Sequence, residues 1–181
     1  MNLDIAGKNI FIIKAFLSEE ECCDFINQAE SIGFKSADVD TGKGRSVLSH
    51  IRNNERVTLK SSELAAHLWR KLDFRELPAF EGKSAKYLSP YFRFYKYTPG
   101  QKFNMHKDGR QHIAGHTSYF TLLVYLNQGY DGGHTIFRQD SLTVAPGTGK
   151  ALIFEHHLWH QGQKLDTGTK YVLRTDIVYG N

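Results

Sequence analysis

The stretch Phe103-Asn-Met-His-Lys-Asp-Gly109 places an imidazole and a carboxylate two residues apart. In extended backbone such residues point the same way, so His106 and Asp108 can hold one cation between them if a third ligand arrives from elsewhere. The pair alone is a weak signal, since a chain with this many His and Asp residues supplies about half of one such spacing by chance. Its meaning depends on what the rest of the chain brings to it.

A third ligand is available in Glu155-His-His-Leu-Trp-His160, where three histidines follow the apolar run Ala151-Leu-Ile-Phe154 and so stand at a strand end. Two imidazoles and one carboxylate on one face of an ion leave its other positions open. That arrangement suits non-haem iron(II) binding a cosubstrate and oxygen together. A closed structural zinc site calls instead for four protein ligands, usually with thiolates, and neither Cys22 nor Cys23 lies near these residues in the sequence.

The elements that position these groups begin with a chain of 181 residues and 40% hydrophobic content, enough for one substantial core and most simply one domain. No apolar run approaches the roughly 18 residues that cross a bilayer as a helix. The N-terminus lacks the basic flank, apolar segment and small-residue cleavage site of a secretory signal. The expectation is a cytoplasmic protein without a membrane segment. Cys22 and Cys23 are neighbours, too strained as a pair to staple a loop, which fits a reducing compartment; one is expected to be buried and the other half exposed. The formal charge of +4 admits nucleic acid as a partner. Lys and Arg are dispersed, however, with only a mild concentration from Lys35 to Arg56 and no aromatic-plus-basic stacking platform, so nucleic acid is disfavoured. Nothing in the sequence indicates an oligomeric state.

Asn9-Ile-Phe-Ile-Ile13 reads as a strand. Ser18-Glu-Glu-Glu21 reads as a capping box opening a helix to about Ile32, with Cys22, Phe25, Ile26, Ala29 and Ile32 at helical spacing and Gly33 as its cap. A second amphipathic helix is predicted from about Ser61 to Leu72, with Leu64, Ala65, Leu68, Trp69 and Leu72 as its buried stripe and His67 outside it. Between them Ser36 to Val57 turns polar, predicting a mobile lid or plain connector and then an extended Arg52-Asn-Asn-Glu-Arg56 segment. After Leu77-Pro78, β-type runs fall at Tyr91 to Tyr97, Tyr119 to Leu126, His134 to Phe137, Leu142 to Val144, Ala151 to Phe154 and Tyr171 to Tyr179. Breaks separate them at Pro99-Gly100, Asp131-Gly132-Gly133, Pro146-Gly147 and Thr167-Gly168. This pattern predicts a mainly β (α+β) domain over residues 1–181, with 1–80 as helical support and lid and 81–181 as a β barrel or sandwich.

Read in order, Tyr97-x-x-Gly100-x-x-Phe103-x-x-His106-x-Asp108, Thr121-Leu-Leu-Val-Tyr-Leu-Asn127, Gly132-Gly-His-Thr-x-Phe137, Pro146-x-x-Gly149, His160 and Lys170 resemble the 2-oxoglutarate and iron(II)-dependent dioxygenases, specifically their prolyl 4-hydroxylase-like branch. The likeness covers residues 90 to 179 well and reaches the N-terminal half more loosely through Phe16-Leu-Ser-Glu-Glu-Glu-Cys22. Several blocks in the right order are far more specific than a single motif. The resemblance implies a double-stranded β-helix (jelly-roll) core with two or more N-terminal helices packed against it.

The same resemblance implies that His106, Asp108 and His160 are the iron(II) ligands. His160 is chosen over His156 and His157 because Lys170 follows it ten residues later, where the family carries a basic partner for the distal carboxylate of 2-oxoglutarate. A dicarboxylate entering a barrel loses water at both ends, so its far carboxylate needs a fixed cation. Arg174 shares a strand face with Lys170 and is a second partner or a structural ion pair to Asp176 or another acid. Tyr97 and Tyr125 match family tyrosines that line the cosubstrate pocket, either donating to 2-oxoglutarate or packed with only the hydroxyl bonded. His134 stands where relatives often carry Glu. His50, His112 and His116 read as surface or mouth residues, and His156 and His157 as neighbours facing alternate ways.

The activity implied is that of an iron(II)- and 2-oxoglutarate-dependent hydroxylase using O2, with ascorbate as reductant, and acting on an unactivated C–H bond. A prolyl or other residue in a peptide or protein is the first expected substrate, with Ser36 to Arg56 closing over it. The alternative is a free amino acid or other small metabolite, and nucleic-acid demethylation ranks third. A cupin-like module that holds metal or 2-oxoglutarate without turnover is the rival from a different class. Common cupin sites use more histidines, so Asp108 counts against it.

Overall fold

The apolar run after Asn9 forms the strand Ile10–Ile13, in which Ile10, Phe11 and Ile13 are buried against Ala151–Glu155. In the computed structural model of the protein, residues 3–36, 39–40, 45–46, 53–72 and 76–181 are described. They are mostly β. Every pairing is antiparallel, and the larger sheet has ten strands. Its order runs Leu3–Gly7, Ile10–Ile13, Ala151–Glu155, His116–Tyr125, Lys170–Gly180, Tyr91–Tyr97, Glu55–Lys60 and Lys35–Ser36. His112–Ile113 pairs with His116–Tyr125, and Ser84–Leu88 with Lys170–Gly180. Besides two two-stranded pairs, a smaller sheet of four strands runs in the order Thr143–Val144, Thr135–Phe137, His160–Gly162 and Phe103–His106.

Alternation along the strands sends side chains into two separate cores. On one side of the larger sheet, Phe92, Phe94, Leu122, Val124 and Leu173 pack with Cys22, Ala29, Ala65 and Leu68 from the helices. On the other, Tyr95, Tyr97, Tyr125, Phe154 and Val172 pack with Phe137 and Val144 of the smaller sheet. The second core is the layer between the two sheets, and it is where the histidines of the smaller sheet point.

Helix α1 spans Glu19–Ile32 and helix α2 spans Ser62–Lys71. The predicted capping box is present: Ser18 Oγ accepts from the Glu21 N–H at 3.1 Å and the Glu21 carboxylate accepts from the Ser18 N–H at 2.8 Å. Ser61 caps α2 through the Leu64 N–H. Lys71 at the end of α2 donates to Glu21 at 2.6 Å, tying the helices together. Ile32, expected in the buried stripe, is 49% exposed. Cys22 is buried and Cys23 exposed, both as free thiols.

Residues 1–80 do more than support the barrel, since Leu3–Gly7, Ile10–Ile13, Lys35–Ser36 and Glu55–Lys60 all join the larger sheet. Much of the expected lid, at residues 37–38, 41–44 and 47–52, lies outside the described residues. Within it Val39–Asp40 pairs with Arg45–Ser46. No helix among the described residues is long and apolar enough to cross a membrane.

Candidate metal centre

His106 ends the strand Phe103–His106 and His160 opens the strand His160–Gly162, where the two are direct cross-strand partners. Asp108 follows just past the strand end, fixed by its own N–H donating to the His156 carbonyl at 2.9 Å. One ligand atom from each of the three side chains lies within 4.8 Å of the others. His106 Nε2 is 3.8 Å from Asp108 Oδ1, and His160 Nε2 is 3.9 Å from Asp108 Oδ2. Each ring is oriented from behind: His106 Nδ1 lies 2.7 Å from the Asn104 carbonyl and His160 Nδ1 3.0 Å from the Leu158 carbonyl. A carbonyl only accepts, so Nδ1 carries the proton and the Nε2 lone pair is left for the centre of the cluster.

The electrostatics favour the ligating forms. Burial pushes the His106 imidazolium down to about 3, with His160 adding to the effect, and burial likewise lowers His160, so both rings are neutral near pH 7. Burial would raise the Asp108 carboxyl, but the Arg174 guanidinium, the two histidines and the Thr121 hydroxyl outweigh it and hold Asp108 well below the usual carboxylate range. Of these the guanidinium is the dependable partner, because the histidines are themselves neutral. Arg174 Nη2 lies 3.0 Å from Asp108 Oδ2, and Thr121 Oγ1 donates to the same oxygen at 2.6 Å. Two neutral imidazole nitrogens and an ionised carboxylate, with no thiolate among them, fit a divalent transition metal such as iron(II).

The three ligands line a narrow cavity with Tyr97, Phe103, Thr135, Phe154, Gly162, Lys170, Val172 and Arg174. Lys170 is a buried member of this lining, its Nζ donating to the Gly133 carbonyl and lying 5.1 Å from the centre of the Tyr97 ring. Desolvation pushes its ammonium down to about 7. Gly133 is needed here for two reasons. Its φ of +65° is left-handed, and a Cβ would stand 3.1 Å from Lys170 Cδ.

The family model of the 2OG-Fe(II) oxygenase superfamily matches residues 92–175. Over 171 residues the chain is 30% identical to a protein named probable prolyl 4-hydroxylase 7 of Arabidopsis thaliana, covering 80% of this chain and 52% of the relative. These matches support a 2OG-Fe(II) oxygenase of the prolyl 4-hydroxylase-like branch. The chain spans about half the length of the curated relatives it matches. Its fold is similar to that of a viral collagen prolyl hydroxylase from Paramecium Bursaria Chlorella virus-1, solved as a 2OG complex, with TM-score 0.66, 24% identity and coverage of 95% of this chain and 97% of the other. It is also similar to a prolyl hydroxylase of Trichoplax adhaerens in complex with a hypoxia inducible factor peptide fragment, with TM-score 0.71, 16% identity and coverage of 93% and 83%.

The residues singled out from sequence divide into distinct groups. His106, Asp108 and His160 converge, and Lys170 and Tyr97 line the cavity with them. Tyr125 is fully buried behind that lining, its hydroxyl 2.6 Å from Thr135 Oγ1 and its ring 5.5 Å from Lys170 Nζ. Arg174 is bound to Asp108 and, at 3.1 Å, to Asp176. His156 is buried with Nε2 3.3 Å from Asp176 Oδ1, whereas His157 is exposed. His134 is half-buried against Gln163, and His50 lies outside the described residues. Sequence reasoning assigned no role to Thr121, Thr135 or Tyr95. Thr121 carries the nearest available signal, since it stands opposite Asp176 on a central strand where a hydroxyl is costly unless bonded.

Proposed function

We propose that the protein is an iron(II)- and 2-oxoglutarate-dependent hydroxylase that uses O2, with ascorbate as reductant, on a C–H bond of a prolyl or other residue in a peptide or protein. One observation carries this reading: a buried lysine and a three-ligand metal cluster line the same narrow cavity. His106 and His160 would hold iron(II) through Nε2, and Asp108 through its carboxylate. When bound, the iron with 2-oxoglutarate and O2 supplies the oxidation that turns C–H into C–OH while 2-oxoglutarate becomes succinate and carbon dioxide.

The chain's own residues bind and orient. Lys170 meets the distal carboxylate of 2-oxoglutarate, and the bond it now makes to Gly133 keeps its amine at that end of the cavity. Tyr97 flanks the same end, while Phe154 and Val172 keep water from the dicarboxylate's middle. Arg174 and Thr121 hold Asp108 ionised and fixed. The two facing sheets support a double-stranded β-helix as the frame of the site, and the pair of free neighbouring thiols supports a cytoplasmic location.

The test is succinate release from 2-oxoglutarate with iron(II), ascorbate and a peptide library, followed by mass analysis of the peptides. Coupled succinate and a peptide gaining one oxygen atom are expected. The same assay with free amino acids addresses the small-metabolite alternative. If 2-oxoglutarate is never decarboxylated, with or without peptide, only the non-catalytic binding module survives.

A further inference from the structure

The strand Lys170–Gly180 carries Arg174 and Asp176 two residues apart, so both project from the face of the larger sheet that lines the metal cavity. Asp176 is fully buried and stands outside the three-ligand cluster. A buried carboxylate is costly unless it is paired, so its partners carry information. Arg93 Nη1 donates to its Oδ2 at 3.3 Å, Arg174 Nη2 donates to its Oδ1 at 3.1 Å, and His156 Nε2 lies 3.3 Å from Oδ1.

Arg174 Nη2 is shared between two acids. It donates to Asp176 Oδ1 and, at 3.3 Å, to Thr121 Oγ1, and it stands 3.0 Å from Asp108 Oδ2. That Oδ2 also accepts from Thr121 at 2.6 Å, whereas among the described residues no hydrogen bond reaches Asp108 Oδ1, which lies 3.8 Å from His106 Nε2. Arginine readily closes a two-nitrogen fork over both oxygens of a carboxylate. Such a fork on Asp108 would cover Oδ1. Arg174 Nε, a nitrogen that could complete it, is instead buried without a hydrogen-bond partner. Tyr95 also bonds this guanidinium, but only Asp176 sets a full negative charge against the pull of Asp108.

We propose that Asp176, braced by Arg93, is a positioning residue for the metal centre: it draws Arg174 Nη2 aside, keeps the guanidinium from forking over Asp108, and so leaves Oδ1 open to the metal. The role rests on the metal centre of the proposed function and is independent of turnover.

Manganese(II) titration of the full chain tests it, with urea midpoints measured on the same samples. Removing Asp176 alone also removes a buried negative charge, which by itself weakens the binding of a cation. Arg93→Gln combined with Asp176→Leu takes out one charge of each sign and leaves the local sum unchanged. This double variant is expected to bind manganese(II) about tenfold more weakly than the wild type. Adding Arg174→Lys should restore most of the affinity, because an ammonium is a single point of charge and cannot fork. A double variant with wild-type affinity overturns the proposal, whatever its urea midpoint. So does an affinity that Arg174→Lys fails to recover. Should the double variant not fold, Asp176→Asn with and without Arg174→Lys makes the same comparison, and a loss without recovery, or no loss, again overturns it. A wild-type chain that binds no manganese(II) overturns the metal centre and this role with it. Loss and recovery of affinity in a chain that never releases succinate uphold Asp176 and overturn the hydroxylase reading alone.

Discussion

The guanidinium of Arg174 lies 3.0 Å from the carboxylate of Asp108. It also reaches Asp176 at 3.1 Å and Thr121 at 3.3 Å, so this arginine is engaged with a metal-ligand carboxylate and a buried acid. Among the described residues Lys170, four residues earlier on the same strand face, has no acid partner and makes its bond to the Gly133 carbonyl instead. On the proposed function the two basic residues of one strand divide the work: Arg174 serves Asp108, and Lys170 would meet the distal carboxylate of 2-oxoglutarate.

Arg174→Gln should therefore strip buried Asp108 of its cation and leave buried Asp176 with Arg93 alone, at 3.3 Å. The expected cost is about 3 to 5 kcal/mol of stability, with metal affinity weakened roughly 10- to 100-fold. Urea unfolding and a manganese(II) titration read the two effects separately. A variant that kept full metal affinity but lost 2-oxoglutarate binding would exchange the roles of Arg174 and Lys170.

Thr121→Val removes one hydroxyl and little volume. Its 2.6 Å bond to Asp108 Oδ2 would be lost while the Arg174 contact stays, so metal affinity should fall by about tenfold and stability by about 1 to 2 kcal/mol. Thr121→Ser, which keeps the donor, should restore most of the affinity. Equal affinities for Val and Ser variants would show that the hydroxyl does not steady the ligand.

The parts of this architecture written in local pattern were legible in the sequence. The Ser18 capping box, the α2 stripe and the runs at Tyr91–Tyr97 and Ala151–Glu155 follow from periodicity and turn residues alone. Less visible were Leu3–Gly7 and Glu55–Lys60, half-exposed strands whose polar residues mask alternation and whose pairing is set by distant partners. At the site, residue types and spacing with the family likeness brought out His106, Asp108, His160 and Lys170. The Thr121 bond and the commitment of Arg174 depend on the register of Leu123 opposite Arg174 and Thr121 opposite Asp176, which no local pattern encodes.

Acid should destabilise the metal-free protein in a defined window. His106 is held at about 3 against 6.5 for an ordinary histidine, and His160 is lowered in the same direction. The unfolded chain thus takes up protons as pH falls through 6.5 while the folded chain does not, and stability drops from there toward 3. Below the ordinary range of aspartate, Asp108 adds to the loss, since its carboxylate is stabilised only when folded. Urea midpoints of metal-free protein should fall between about pH 7 and about pH 5. A His106→Gln variant should show a shallower fall, and an unchanged slope in it would place the acid sensitivity elsewhere.

Lys170 titrates with the opposite consequence at high pH. Its ammonium is pushed down from 10.5 to about 7 by burial, so between those values the unfolded chain holds a proton that the folded chain has released. Stability of the protein without 2-oxoglutarate should accordingly rise from pH 7 toward 10.5, by an amount on the order of a few kcal/mol. Lys170→Met should flatten that rise while raising the 2-oxoglutarate requirement about 10- to 100-fold, the worth of a lost charge-assisted hydrogen bond. Because the dicarboxylate needs the charged amine, its binding to the native protein should take up a proton above pH 7 and weaken as pH increases. Calorimetry in buffers of different ionisation enthalpy measures that uptake directly. Binding with no proton uptake, at an affinity independent of pH above 7, would remove Lys170 from contact with the cosubstrate.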